Sequence, residues 1–167
     1  AFHVRQNSRL SVSRGRTLNT VSLLRLLTGA VVSVFGRGGN RLISTPTLTA
    51  GIRGTGVYTE VMPDLRTYFC NCYGTVELET RGEQLVSTSN YHQSYWGEVQ
   101  PDQGGRVITP AGAINHTDEE LEFLAGLINQ RTAWQIAGRR GVKDGRGHMD
   151  SAPGVLHPAA VPKSDAR

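Results

Sequence analysis

The run Tyr68-Phe-Cys70-Asn-Cys72-Tyr-Gly74-Thr-Val76-Glu-Leu78 constrains this chain most, because Tyr68, Cys70, Cys72, Gly74, Val76 and Leu78 recur at strict two-residue spacing. Side chains alternate across a strand, so this spacing predicts one β-strand with those six residues on a single face. The other face receives Thr67, Asn71, Thr75, Glu77 and Glu79 and is predicted to be solvated, Phe69 and Tyr73 apart. Both cysteines of the chain then point toward the side that buries Val76 and Leu78. Same-face residues of a strand stand about 6.5–7 Å apart, against a Cβ separation of about 3.8 Å in a disulfide. Free thiols or two metal ligands fit that geometry better than a bridge.

The chain before this run reads as short strands divided by turn residues. Phe2/Val4 and Leu10/Val12 alternate around Gln6-Asn7-Ser8, Arg14-Gly15-Arg16 marks a turn, and Val31 to Phe35 follow Thr28-Gly29. Gly36-Arg37-Gly38-Gly39-Asn40 has too few side chains to pack and is a loop. Thr45 precedes a proline and is pushed toward extended backbone. Gly29, Gly56 and Gly74 each stand just ahead of an alternating segment, at steps of 27 and 18 residues, too irregular for a solenoid. They suit stacked or sandwiched antiparallel strands with a glycine at each bend. Residues 1–80 are therefore expected to be all-β. The pattern fades after Arg81: Leu85-Val86 and Val107-Ile108 read as short strands, and Asn90 to Trp96 is aromatic and polar.

One helix is predicted next. Thr117-Asp118-Glu119-Glu120 forms a capping box, and its acids suit the positive end of the helix dipole. Leu121, Leu124, Leu127 and Ile128 make the buried stripe, extended to Trp134 if the helix lasts that far, with Phe123 to one side. The organisation expected is a β-domain over 1–113, a helix packed on it over 114–137 and a Gly/Pro/Arg-rich disordered tail over 138–167.

Composition narrows the function classes. The net charge is +4, but the arginines are scattered, and no basic helix or aromatic-interleaved basic stripe points to nucleic acid. No run of eighteen apolar residues is present, so no membrane span is expected. GRGGN and GIRGTG lack the strand–helix setting and the lysine of a phosphate loop. Ala1 to Arg5 alternates from its first residue, which reads as a chain that starts inside a β-domain.

Cys70, Cys72, His92 and His116 are the candidate site, since two thiolates and two imidazoles complete a tetrahedral set for zinc. His116 immediately precedes the helix cap, where packing of the helix on the sheet brings it toward the cysteine strand. The plain alternative is two buried thiols and two surface histidines. Copper also suits thiolate and imidazole, and a mixed-ligand iron–sulfur centre is a third option. His3 reads as a surface strand residue, and His148 and His157 lie in the tail. Arg53 reads as a turn arginine paired with a carboxylate.

LLTGAVVSVFG, STPTLTAGIRGTGVY and YGTVEL, with IRGTG at 52–56, resemble the FecR domain, the periplasmic β-domain of iron-dicitrate-type regulators. The similarity spans about residues 1–80, and the Cys-X-Cys strand with later histidines looks like a subset of such proteins. It implies an envelope location, a sensory or binding role without catalysis, an unidentified protein partner, and a β-domain incomplete at its N-terminus. The receptor-signalling C-terminal domain of those regulators has no counterpart in this chain, so their sigma-factor partner does not carry over. The reading is a non-enzymatic envelope domain with a Cys2His2 metal site joining sheet and helix. Its rivals are a thiol redox or catalytic protein using Cys70 or Cys72 with a histidine base, and a structural subunit of a larger envelope assembly.

Overall fold

The computed structural model describes residues 1–15, 21–141 and 161–162. In chain order it holds β1 (Phe2–Val4), β2 (Arg9–Arg14), β3 (Val21–Val34), β4 (Arg41–Ser44), β5 (Thr49–Val61), β6 (Thr67–Thr80), β7 (Glu83–Ser89), β8 (Gln93–Gly97) and β9 (Ile108–Ala111). Two helices follow, α1 (Asp118–Leu127) and α2 (Ala133–Ile136), and then the short strands β10 (Arg139–Arg140) and β11 (Val161–Pro162). The fold is mainly β, as the alternation predicts, and α1 starts at the residue after Thr117 with its capping box formed. One pairing departs from the antiparallel expectation: β3 and β4 run parallel at Leu23–Leu42 and Arg25–Ser44.

β3, β5 and β6 are long and change partners half-way. The second half of β3 pairs with the second half of β5, from Gly29–Val61 to Val34–Gly56. Its first half pairs with β2 and β4, and β4 in turn lies against the first half of β5. Along β6, the first half faces β8 and the second half faces β7. β7 and β8 are thus one extended partner of β6, interrupted at Asn90-Tyr91-His92.

Each long strand also switches faces. Leu24 and Leu26 share a core with Val31, while Ala30, Val32 and Val34 enter a second core under the helices. The switch falls at Gly29, whose φ is +79° and where a side chain would overlap Ser8. In β6, Tyr68, Cys70 and Cys72 belong to the helix-side core, whereas Phe69, Val76 and Leu78 belong to the first core. The shared face expected for the cysteines, Val76 and Leu78 is therefore wrong. A bulge opposite Gly56 puts Cys72 and Tyr73 on the same side, and Gly74 at φ +99° restores the strand with its parity inverted. Asn71 and Thr67, expected in solvent, are fully buried, since the first half of β6 is covered on both faces. The glycines of the irregular repeat mark these bends.

The helical region differs in extent. α1 ends at Leu127, which is 61% exposed instead of joining the buried stripe, while Leu121, Leu124 and Ala125 are buried. Trp134 belongs to α2, which has its own capping box at Thr132 and Gln135. Arg53 lies within β5, not in a turn, and pairs loosely with Glu77 at 3.7 Å. Most of the 138–167 tail lies outside the described residues; within it Arg139–Arg140 pairs antiparallel with Val161–Pro162. No described helix is long and apolar enough to cross a membrane.

Candidate metal centre

The second core is where the polar chemistry collects. Cys70 and Cys72 enter it from β6, and their sulfurs lean together to 3.6 Å, each fully buried and unbridged.

His92 arrives from the break between β7 and β8. Its φ is +37° and its amide donates to Cys72 O at 2.9 Å, so the ladder holds while the ring turns under the helices. His116 arrives from the segment before α1. Asn115 takes the left-handed conformation (φ +59°), which asparagine tolerates better than most residues. Its side chain donates to Glu60 and its carbonyl accepts from Arg5. Farther back, the Tyr68 hydroxyl accepts from the Ile114 amide and lies 2.8 Å from Gly112 O and from Ser94 Oγ, tying this segment to β6. His116 then stacks on Tyr58, with ring centroids 4.7 Å apart and planes 13° from parallel.

All four residues expected from the sequence meet. One donor atom from each of Cys70, Cys72, His92 and His116 lies within 4.8 Å of the others, and all four residues are buried. Cys70 Sγ is 3.4 Å from His92 Nδ1, which is 3.1 Å from His116 Nε2. A zinc ion bound tetrahedrally at about 2.3 Å to sulfur and about 2.0–2.1 Å to nitrogen needs edges of about 3.8 Å (S–S), 3.6 Å (S–N) and 3.3 Å (N–N). The three observed edges fall just inside those lengths, so the set could hold one metal ion.

The outer ring nitrogens fix which lone pairs point inward. His116 Nδ1 sits 2.6 Å from Ile114 O, and a carbonyl only accepts, so Nδ1 carries the proton and Nε2 faces the centre. His92 Nε2 sits 2.6 Å from Asp118 Oδ1 and donates to it, leaving Nδ1 toward the thiols. The Tyr91 hydroxyl donates to the other oxygen of Asp118 at 2.8 Å. This is the supporting shell that metal-ligating histidines have.

Charge in the metal-free cluster follows from the same contacts. Burial presses the Cys70 thiol upward, but the Cys72 S–H donated to it and the His116 and His92 rings hold it well below the usual thiol range. Burial and that same hydrogen bond push Cys72 well above it. For His92, burial opposes the charged form, yet Cys70 and Asp118 outweigh it and raise the ring to about 9. In the metal-free cluster His92 and Cys70 therefore compensate each other as an imidazolium and a thiolate, and a metal ion would bind by displacing the inner His92 proton.

Three contributors escape a sequence reading. Asp118 looks like an ordinary first-turn helix acid, yet it is fully buried against His92. Tyr91 lies in the stretch without clear strand alternation. Trp134 stacks near His92, with centroids 5.6 Å apart and planes 24° from parallel, and donates from Nε1 to Glu122 at 2.7 Å. Only the Asp118–Glu120 capping signature hinted that a carboxylate would stand here, and it does not specify direction.

Compared with family models, curated proteins and solved structures, the chain matches none of them. Its function rests on the geometry.

Proposed function

We propose that this chain is a non-catalytic metal-binding β-domain in which Cys70, Cys72, His92 and His116 hold one structural zinc ion. The observation that carries the reading is the inward convergence of two thiols with two imidazole lone pairs, each ring's outer N–H already taken by Ile114 O or Asp118. Four protein ligands leave no open coordination position, which favours a structural ion over a catalytic one. The ligands come from β6, the β7–β8 break and the segment before α1, so the ion would staple the helical layer to the sheet.

Zinc is favoured over copper by the near-tetrahedral edges and by a closed set of two sulfurs and two nitrogens. An iron–sulfur centre fits poorly, because ligands shared between two irons stand farther apart than the edges of one tetrahedron. The FecR-like resemblance of residues 1–80 supports placing the domain in the cell envelope, in a sensory or partner-binding role. A metal there would also keep the two thiols from oxidising in that compartment.

The 3.6 Å approach of the sulfurs favours one rival, a reversible Cys70–Cys72 couple. It requires access that two fully buried thiols do not offer. Elemental analysis of protein purified without added metal tests the proposal. One zinc per chain, absent from the Cys70→Ser variant, is the expected result. Metal-free native protein whose thiols react freely with an alkylating agent would replace it with the redox reading.

A further inference from the structure

Charge is divided unevenly along this sequence. The first 59 residues contain eight arginines and no aspartate or glutamate, whereas β6 and β7 carry Glu77, Glu79 and Glu83. Both halves of that division lie in one sheet. Its inward row Leu24–Ile43–Ala50–Leu78 is buried in the first core, so the neighbouring rows face solvent. One outward row reads Arg25–Ser44–Thr49–Glu79 across β3, β4, β5 and β6. In the next, Leu42 on β4 stands directly opposite Gly51 on β5.

Leu42 is 45% exposed, and a shallow cavity opens over Gly51 beside it. A knob and a notch are thus one strand apart, flanked at equal distance by a cation on β3 and an anion on β6. We propose that this face packs against the same face of a second copy, about a two-fold axis lying between β4 and β5 and running along the strands. That rotation exchanges β4 with β5 and β3 with β6. It seats each Leu42 over the other copy's Gly51 and each Arg25 over the other copy's Glu79, with Ser44 over Thr49. An isologous interface requires this kind of reciprocity.

Six strands at about 4.8 Å spacing and five residues of about 3.3 Å rise give roughly 450 Å² per copy, or about 900 Å² in all. That area lies below the range of standard stable interfaces, so the dimer is weak and leans on its charges. The metal centre lies on the helix side of the sheet, so this face is independent of it.

Sedimentation velocity on the full chain, up to about 200 μM as a weak interface demands, tests the proposal. The expected result is a monomer–dimer equilibrium that shifts to monomer in about 1 M salt, where the Debye length is about 3 Å. Gly51→Leu fills the notch, and its Cβ meets only Glu77, at 3.7 Å and beyond, so the fold accepts it. It and Arg25→Glu should each raise Kd at least about tenfold. The double exchange Arg25→Glu with Glu79→Arg should restore association, which a merely destabilised sheet would not do. A chain that stays monomeric, a dimer indifferent to these variants, or a double exchange that stays dissociated overturns the proposal. A monomer retained on a polyanion column would overturn it as well, assigning the arginine-rich half to an anionic polymer.

Discussion

His92 Nε2 lies 2.6 Å from Asp118 Oδ1, and neither side chain is reached by solvent. This pair joins the sheet to the first residue of α1 and decides which nitrogen of His92 faces the two thiols. It carries two roles in one contact. The carboxylate stabilises the positive end of the helix, and it orients the His92 ring toward the two thiols.

Replacing Cys70 with serine should abolish metal binding and loosen the helical layer. Loss of several kcal/mol from a chain of this size lowers the melting temperature by roughly 10 °C or more. Calorimetry of zinc-loaded wild type and Cys70→Ser checks this. Equal melting temperatures with equal zinc contents would remove Cys70 from the ligand set.

Asp118→Asn keeps an acceptor near His92 but removes its charge. Metal affinity should fall about 10–100-fold, as it does when outer-shell carboxylates are changed. Competition against a chromophoric chelator measures it. Asp118→Ala should be worse for stability as well, by about 1–3 kcal/mol, because the Tyr91 hydroxyl and His92 N–H lose the carboxylate they donate to.

Trp134 is an internal reporter. It is 2% exposed and stacks near His92, whereas the chain's other tryptophan, Trp96, lies under the Arg66 guanidinium. Removing the ion should change tryptophan emission in wild type and in Trp96→Phe, and leave Trp134→Phe unchanged. A response confined to Trp96 would separate the metal from the helical layer.

The metal-free protein should show a stability plateau with pH. His92, raised to about 9, contributes stability that is complete below its ordinary value of about 6.5 and fades as pH rises through about 9. Cys70, held low, contributes in the opposite sense: its share is present above the ordinary thiol value and is lost as pH falls through the depressed one. Below the ordinary thiol value, where the two ranges overlap, the two slopes oppose each other. Above that, Cys72, held protonated, makes stability fall. Denaturant titrations of metal-free protein from acid to alkaline pH test this; a steady rise past pH 9 would refute it.

Gly74 and Gly82 both have positive φ, but only Gly74 is crowded. Gly82→Ala meets nothing within 4 Å and should cost only backbone strain, about 1–2 kcal/mol. Gly74→Ala also drives a methyl into Thr55 and should add about 1–3 kcal/mol. It should weaken metal binding too, since the β6 bulge turns Cys72 toward the site. Urea unfolding and zinc affinity of the two variants make the comparison.

What the sequence determined is local. Alternation marked strand segments at residues 31–35, 57–61 and 68–78, which the structure joins through Gly29, Gly56 and Gly74 into longer strands. The Thr117 capping box started α1 to the residue, and the residue types Cys70, Cys72, His92 and His116 named a tetrahedral set. Period-two spacing assigns faces only while the backbone stays regular, so it misplaced the cysteines relative to Val76 and Leu78. Gly29, Gly56 and Gly74 were legible as glycines, but whether each marks a turn, a bend or a parity switch depends on what packs against it. Ser8 and Thr55 settle Gly29 and Gly74, and Thr55 is nineteen residues from Gly74 along the chain. The tertiary structure alone decided that Asp118 is buried, that Leu127 is not, and that Trp134 covers His92. Each depends on how α1 docks across strands distant in sequence, and docking is set by shape and polar satisfaction summed over many residues, which no single spacing records.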